Sequence, residues 1–277
     1  MQESAYQNYY GIEVTESSTE MDFYAESMER LGYFVAPKIF SEAELVRIRE
    51  KLDLIWIEQL ARYGTEFLER IGDYGQIRGM MTYDPYFYDL IMHPVIKKIV
   101  DYFLGETAIL HLQNGIVSHP GRRHNQALFH RDFAKNFVCS KMLSINTFIA
   151  VDEFNEQTGA TWIVPGTHRF EKVPSEEYVK QHKIQVVVPA GSLIVFDSML
   201  WHSGGYNFTA NVRRAVNQQY TRPFIKQQLD YPALLKGKVD LESDLAQTLG
   251  MWSIPPKNVD EFRVSDPSKR TYRAGQG

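Results

Sequence analysis

From Thr107 to Phe224 the apolar residues recur with a period of two, and no stretch of helical spacing interrupts them for long. Seven segments carry the pattern: ETAILHLQNGIVSH, QALFHRDF, CSKMLSINTFIAVDEF, TGATWIVPG, KIQVVVPA, GSLIVFDSM and NVRRAVNQQYTRPF. Gly, Pro and Asn separate them, as turns between antiparallel strands require. A doubly wound α/β fold needs a helix between successive strands and a glycine-rich phosphate loop, and neither is present. The expected fold is therefore mainly β, a double-stranded β-helix (jelly roll, cupin-like). The inward positions of such a barrel can enclose a metal or ligand instead of packed side chains.

Before Thr107 the spacing is helical. Met21, Tyr24, Met28 and Leu31 fall on one helical face, and Gly32 ends the run. A short strand, YFVAP, follows. Ser41 and Glu44 form a capping-box signature ahead of Leu45, Ile48, Leu52, Ile55 and Trp56, so a long amphipathic helix is predicted from Glu42 to Arg62, with its apolar stripe on the outside of the barrel. Asp84-Pro85 opens a further helical region that runs past His93-Pro94 to Gly105. The stretch from Thr65 to Met81 has no assignable period. One domain over 1–277 is expected, with a polar arm (1–18), N-terminal α-helices as a flank (19–106), the jelly-roll core (107–224) and a helical or irregular C-terminal extension (225–277). In that extension Leu245, Leu249 and Trp252 are expected to cover a barrel edge or a subunit contact.

Composition narrows the function classes. Hydrophobic residues make up 44% of the chain and aromatic residues 13%, enough for a large core. A formal charge of −4 offers no global positive field for nucleic acid. No window reaches the roughly 20 apolar residues of a membrane span, and the N-terminus lacks a signal-peptide pattern. The one cysteine, Cys139, cannot form an intrachain disulfide, and its alternation in NFVCSKM predicts a packed strand residue. A cytoplasmic protein acting on a small molecule is expected, with no nucleic-acid or membrane partner; a homodimer is left open.

The chemistry concentrates in ALFHRDF. If this run is a strand, alternation puts His130 and Asp132 on one face, and together they supply two of the three ligands of a facial triad for non-haem Fe(II). The best candidate for the second histidine is His202, where the run SLIVFDSMLWH meets Gly204-Gly205. Eleven residues later comes Arg213, followed by Arg214. A buried guanidinium needs an anionic partner and suits a carboxylate, and only one of two adjacent strand residues can face inward.

The order His-x-Asp, His, Arg, with TGATWIVPGTHR between them, resembles the phytanoyl-CoA dioxygenase-like family of Fe(II)- and 2-oxoglutarate-dependent oxygenases. RLGYFVAPKIFSEAELVRIREKLD, FIAVDEFNEQTGATWIVPGTHR and PAGSLIVFDSMLWHSGGYN are similar to family segments in the same order, so the resemblance spans about residues 28 to 224. It implies Fe(II) on His130, Asp132 and His202, and 2-oxoglutarate with its distal carboxylate on Arg213. It further implies O2 as oxidant, and hydroxylation of an unactivated C–H with release of succinate and CO2. Desaturation, epimerisation or ring closure start from the same abstraction. Halogenating members carry a small residue where this chain has Asp132, so halogenation is not expected. The competing reading is a non-catalytic or 2-oxoglutarate-independent cupin-like metal- or ligand-binding protein.

Four further groups of residues are candidates. One of Gln113 and Asn114 should face into the barrel, toward a co-substrate carboxylate or a substrate hydroxyl, and Thr147 is a similar case. Arg122 and Arg123, in GRRHNQ, form either a solvated basic loop or the mouth of the pocket, where they would favour an anionic or polyhydroxylated substrate. Lys135 and Asn136 carry the same alternatives. Trp162 is expected beside the site or in the barrel wall, and His93 and His168 are expected to be structural.

Overall fold

The first half of the chain builds a helical support, and its caps explain its boundaries. The computed structural model describes residues 15–122, 125–133 and 136–264. Helix α1 (Glu20–Leu31) starts at Thr19, which exchanges capping bonds with Asp22, and stops at Gly32 in the left-handed region (φ 82°). Strand β1 (Tyr33–Ala36) leads to α2 (Glu42–Tyr63), capped by the expected Ser41–Glu44 box. The stretch without a readable period resolves into α3 (Thr65–Arg70) and β2 (Gln76–Arg78). The helical region expected up to Gly105 is divided into α4 (Tyr86–Ile91) and α5 (Pro94–Leu104). Pro94 disfavours helical dihedrals at the residue before it, and His93 takes ψ 127°.

The period-two region forms two facing sheets. Strands β3 (Ile109–Ser118), β4 (Ser144–Ala150), β5 (Trp162–Val164), β6 (Ile184–Gln185), β7 (Leu193–Asp197), β8 (Trp201–Ser203) and β9 (Arg213–Thr221) follow in order, with α6 (Glu176–His182) between β5 and β6. One antiparallel sheet has the order β1-β7-β4-β9-β3-β2 and the smaller one β6-β5-β8. This is the expected jelly roll.

One expected strand is absent. In QALFHRDF only His130 pairs, in an isolated bridge with His202, and Asn125–Ala127 is a 3₁₀ turn. The partner, β8, is three residues long and ends at Gly204-Gly205, so no ladder remains to extend the pairing. Cys139 is correspondingly exposed on an irregular segment and is not a packed strand residue.

Alternation divides the large sheet's side chains between two cores. Val195, Ile145, Ile149, Val216, Tyr220, Leu110 and Val117 face the helices, while Ile194, Phe196, Phe148, Ala150, Ala215 and Ile116 face the small sheet. The helix side also carries a buried polar row, Thr147, Gln218 and Gln113, in register across β4, β9 and β3. These side chains secure α4. Gln113 donates to the Phe87 carbonyl (2.9 Å), Gln218 to the Leu90 carbonyl (3.2 Å) and Tyr220 to the Ile91 carbonyl (3.0 Å), satisfying acceptors that the short helix leaves open.

The C-terminal segment closes the far edge. Gln227 donates to Leu110 O (2.7 Å) and Gln247 to Ala108 O (3.2 Å), and Leu249 is buried. Among the described residues no helix is long and apolar enough to cross a membrane.

The loop after β8 is seated by glycine against glycine. A Cβ on Gly205 would lie 2.5 Å from the Ala160 carbonyl oxygen and 2.7 Å from the Gly159 carbonyl carbon, backbone atoms that cannot yield. Gly205→Ala should therefore lower unfolding free energy by about 1–3 kcal/mol, read as a shifted urea midpoint at unchanged slope.

Candidate active site

The small sheet and the loop before it bring three ligand atoms to one point. His202, on β8, is 6% exposed and points between the sheets. Its backbone N–H donates to His130 O (3.1 Å), and the His130 N–H donates to His202 O (2.8 Å), leaving the two rings 4.4 Å apart. Asp132 is held by its own N–H on Ser198 O (3.0 Å). Its Oδ1 lies 3.8 Å from His130 Nε2 and 3.7 Å from His202 Nε2. A ligand atom from each of the three lies within 4.8 Å of the others.

The protonation pattern suits metal binding. His130 Nδ1 is 2.7 Å from Leu128 O and His202 Nδ1 is 2.8 Å from Leu200 O. A carbonyl only accepts, so each Nδ1 carries a hydrogen and each Nε2 is the ring atom left facing Asp132. Burial pushes the His202 pKa below its ordinary value, favouring the neutral ligand form, against an opposing pull from Asp132. Asn146 donates to Asp132 Oδ2 (2.6 Å) and to Ser198 Oγ (3.0 Å); Ser198 also meets Ser144 Oγ and the Gln219 amide. Two imidazole Nε2 atoms and one oriented carboxylate, braced by a second layer, fit a divalent first-row metal with open positions.

Arg131, between the two ligands in sequence, turns the opposite way. Its guanidinium donates to the carbonyls of Thr167 (2.9 Å) and Glu171 (2.9 Å) and also to Phe170 O. The PGTHR turn thereby anchors the ligand loop, and Thr167 Oγ1 accepts the Trp201 N–H (2.9 Å) at the start of β8. His168 sits in the same turn against Glu29 O (3.2 Å), a structural place. Trp162 is half-buried under the Lys183 ammonium, 4.4 Å from its ring centroid.

The two adjacent arginines are sorted by strand alternation. Arg214 faces the helices, where it is bound to Asp53 (2.7 and 2.8 Å) and Asp152 (3.0 Å). Arg213 faces the cavity, 4% exposed, over the Phe154 ring at 4.2 Å, with its Nε and Nη1 lacking any hydrogen-bond partner. Burial without a paired acid pushes its pKa down to about 10, so it stays cationic at neutral pH. A buried cation in this state is a receptor for an anion.

The cavity has a volume of about 220 Å³ and is lined by all three potential ligands and by Arg213. Of the amide pair, Asn114 faces it. Gln113, expected as a possible co-substrate contact, lies in the polar row behind the sheet, and so does Thr147, which donates to Gln218 O (3.2 Å). In place of Thr147, its neighbour Asn146 reaches the site, because β4 is apolar on both faces and its parity could not be read from composition. Arg122 does not line the cavity: it pairs with Glu69 and stands 4.8 Å over the Tyr74 ring. Asn136 is exposed and accepts from Arg131 (3.2 Å). Arg123 and Lys135 lie outside the described residues. The sequence reading missed His111, Asn217, Gln219 and Arg78, all of which line the cavity. Their one signal was polar residues at inward parity on β9.

Comparison with known proteins agrees with this geometry. The family model of phytanoyl-CoA dioxygenase (PhyH) matches residues 28–215. The Mycobacterium tuberculosis protein Rv1501 is 39% identical over 271 residues, covering 95% of this chain and 98% of that one. Dioxygenase trt7 of Aspergillus terreus is 31% identical over 147 residues, 46% of this chain and 47% of its own. Among solved structures, EctD from S. alaskensis with 2-oxoglutarate and 5-hydroxyectoine superposes with a TM-score of 0.60 at 21% identity, covering 71% of this chain and 74% of that one. At that identity the likeness is one of fold.

The contrast between the arginines predicts opposite signs in ligand-free protein. Arg213→Leu removes an unpaired buried cation and should leave the melting temperature unchanged or raised. Arg214→Ala takes the partner from Asp53 and one of two cations from Asp152, which keeps Arg49 (2.8 Å), and should cost about 1–2 kcal/mol; both are measured by thermal denaturation.

Proposed function

Because the chain belongs to the phytanoyl-CoA dioxygenase family, we propose that it is an Fe(II)- and 2-oxoglutarate-dependent dioxygenase that hydroxylates an unactivated C–H of a polar small molecule. The observation that carries this reading is the pairing of a His130–Asp132–His202 donor set with an uncompensated guanidinium in the same cavity. A metallo-cupin that used no dicarboxylic acid would have no use for that buried charge.

In this reading His130, Asp132 and His202 hold the metal, and Arg213 takes the distal carboxylate of 2-oxoglutarate in a charge-assisted pair. Bound Fe(II) supplies the oxidising chemistry with O2; one oxygen atom goes to succinate, the other to the substrate hydroxyl, and CO2 is released. The chain's own groups do the positioning. Leu128 O and Leu200 O fix the imidazole tautomers, and Asn146 holds one oxygen of Asp132 so that the other is presented to the metal. Phe148 and Phe196 line the same cavity and limit water around the reacting groups.

Purified protein should bind one Fe(II) per chain and convert 2-oxoglutarate to succinate slowly without added substrate. Asp132→Ala should abolish both. Arg213→Ala should weaken 2-oxoglutarate binding by about 30-fold or more while iron affinity changes little. Unaltered 2-oxoglutarate affinity in Arg213→Ala would remove the co-substrate from this site and with it the dioxygenase reading. Asn146→Leu should reduce iron affinity about 10- to 100-fold, measured by competition with a chelating dye.

A further inference from the structure

One wall of the cavity holds polar groups that the proposed iron and co-substrate roles do not use. Strand β3 carries a bulge: Leu110 opposes Tyr220 and Leu112 opposes Gln219, so His111 is an extra residue. Leu110 belongs to the helix-side core and Leu112 to the cavity lining. The insertion therefore lets two consecutive residues, His111 and Leu112, face the cavity, which a regular strand forbids. His111 lies edge-on to Phe133 (6.1 Å), next to the ligand loop, and its Nδ1 is buried with no partner. Two inward positions further, Asn114 stands directly opposite Asn217. Each has its Oδ1 buried and without a hydrogen bond. Three unpaired polar groups on one wall are costly in a folded protein unless a ligand meets them.

The charges of the cavity limit what that ligand is. With Arg213 given to the co-substrate, the other cations in the lining among the described residues are Arg78 and Arg131, and Arg78 is already bound to Asp73 (2.6 Å) and to Gln228 (3.4 Å). Arg131 turns its guanidinium to the backbone of the PGTHR turn and beyond. Of the basic loop that would have favoured a phosphate, Arg122 is held by Glu69, and Arg123 lies outside the described residues. Among the described residues the only carboxylate in the lining is Asp132, which is given to the metal, so no second carboxylate there receives an ammonium group. Leu112, Phe148 and Phe196 add apolar surface beside the amides.

We infer that the substrate presents a neutral, polyhydroxylated ring, a glycosyl unit, to this wall, with its hydroxyls on His111, Asn114 and Asn217. A hydroxyl both donates and accepts, so it meets an amide or an imidazole in either orientation. A carboxylate or phosphate only accepts, and an acyl chain does neither. A pyranose also has an apolar face, which matches the leucine and phenylalanines beside the amides. The inference rests on the dioxygenase reading only in assigning Arg213 to 2-oxoglutarate.

Binding tests it separately from turnover. Anaerobic full-length protein loaded with Fe(II) and 2-oxoglutarate is titrated calorimetrically with methyl glucopyranoside, methyl galactopyranoside and methyl rhamnopyranoside, then with glucose 6-phosphate and with hexanoyl-CoA. At least one neutral glycoside should bind in the millimolar range or better. His111→Leu and Asn217→Leu should each weaken it about tenfold or more. Arg122→Ala should leave it unchanged, and retained Fe(II) binding reports that the variants are folded. Where a leucine variant fails to fold, Asn217→Ser should show the same direction. Glycoside binding without succinate formation in air would support this inference and sink the dioxygenase reading. Succinate formation with no glycoside bound, or tighter binding of hexanoyl-CoA or glucose 6-phosphate, would overturn the inference alone.

Discussion

The pair of backbone hydrogen bonds between His130 and His202 is the constraint on which the site depends. It is a single bridge, not a ladder, so the segment carrying His130 and Asp132 hangs from the barrel at one point. Three other ties keep it from swinging. The Asp132 N–H is on Ser198 O, the Gly204 N–H on Gln126 O, and the Arg131 guanidinium grips the turn after β5. A loop attached this way can accept one extra residue or one missing residue on either side without disturbing the sheets. Within it the two ligands still lie two residues apart on one side, as they would on a strand, and Arg131 between them turns the other way as an anchor.

The large sheet serves as a partition. Each neighbouring pair of polar residues on it is divided between two tasks: Gln113 and Gln218 hold α4 and Thr147 bonds the Gln218 carbonyl behind the sheet, while Asn114 and Asn146 face the cavity. Arg214 ties β9 to α2 through Asp53, and Arg213 waits for an anion. Nothing in side-chain chemistry separates these neighbours. The register alone does, and a slip of one residue would exchange every role. The helices therefore matter to the chemistry at a distance. Their bonds to the rear of the sheet pin the register that decides which arginine and which amide face the cavity.

The sequence was most legible where local physics acts alone. The Ser41–Glu44 capping box, the glycine stops and the period-two core could be read because each depends on a few adjacent residues. The break at His93 was implicit in its proline but was masked by continuous apolar spacing on both sides. At the site, a motif and its spacing identified His130, Asp132, His202 and Arg213 as candidates, and the fold brings them together. Strand parity failed for Thr147 and left Gln113 against Asn114 undecided, because β3 and β4 are buried on both faces and carry no hydrophobic alternation to read. His111 was invisible for a different reason. A bulge is set by cross-strand register, a long-range property that no short window of sequence contains.

The distribution of satisfied and unsatisfied polar groups gives the cavity its meaning. Behind the sheet, the Gln113 and Gln218 amide N–H groups, Thr147, Tyr220 and Arg214 find partners within the chain. In front of it, less than one sheet's thickness away, Arg213, Asn114, Asn217 and His111 do not. Those four residues line one cavity beside three aligned ligand atoms, where their unpaired groups are already oriented for what binds. On that argument the unpaired atoms are part of the recognition surface, and the paired ones on the opposite face hold it in register.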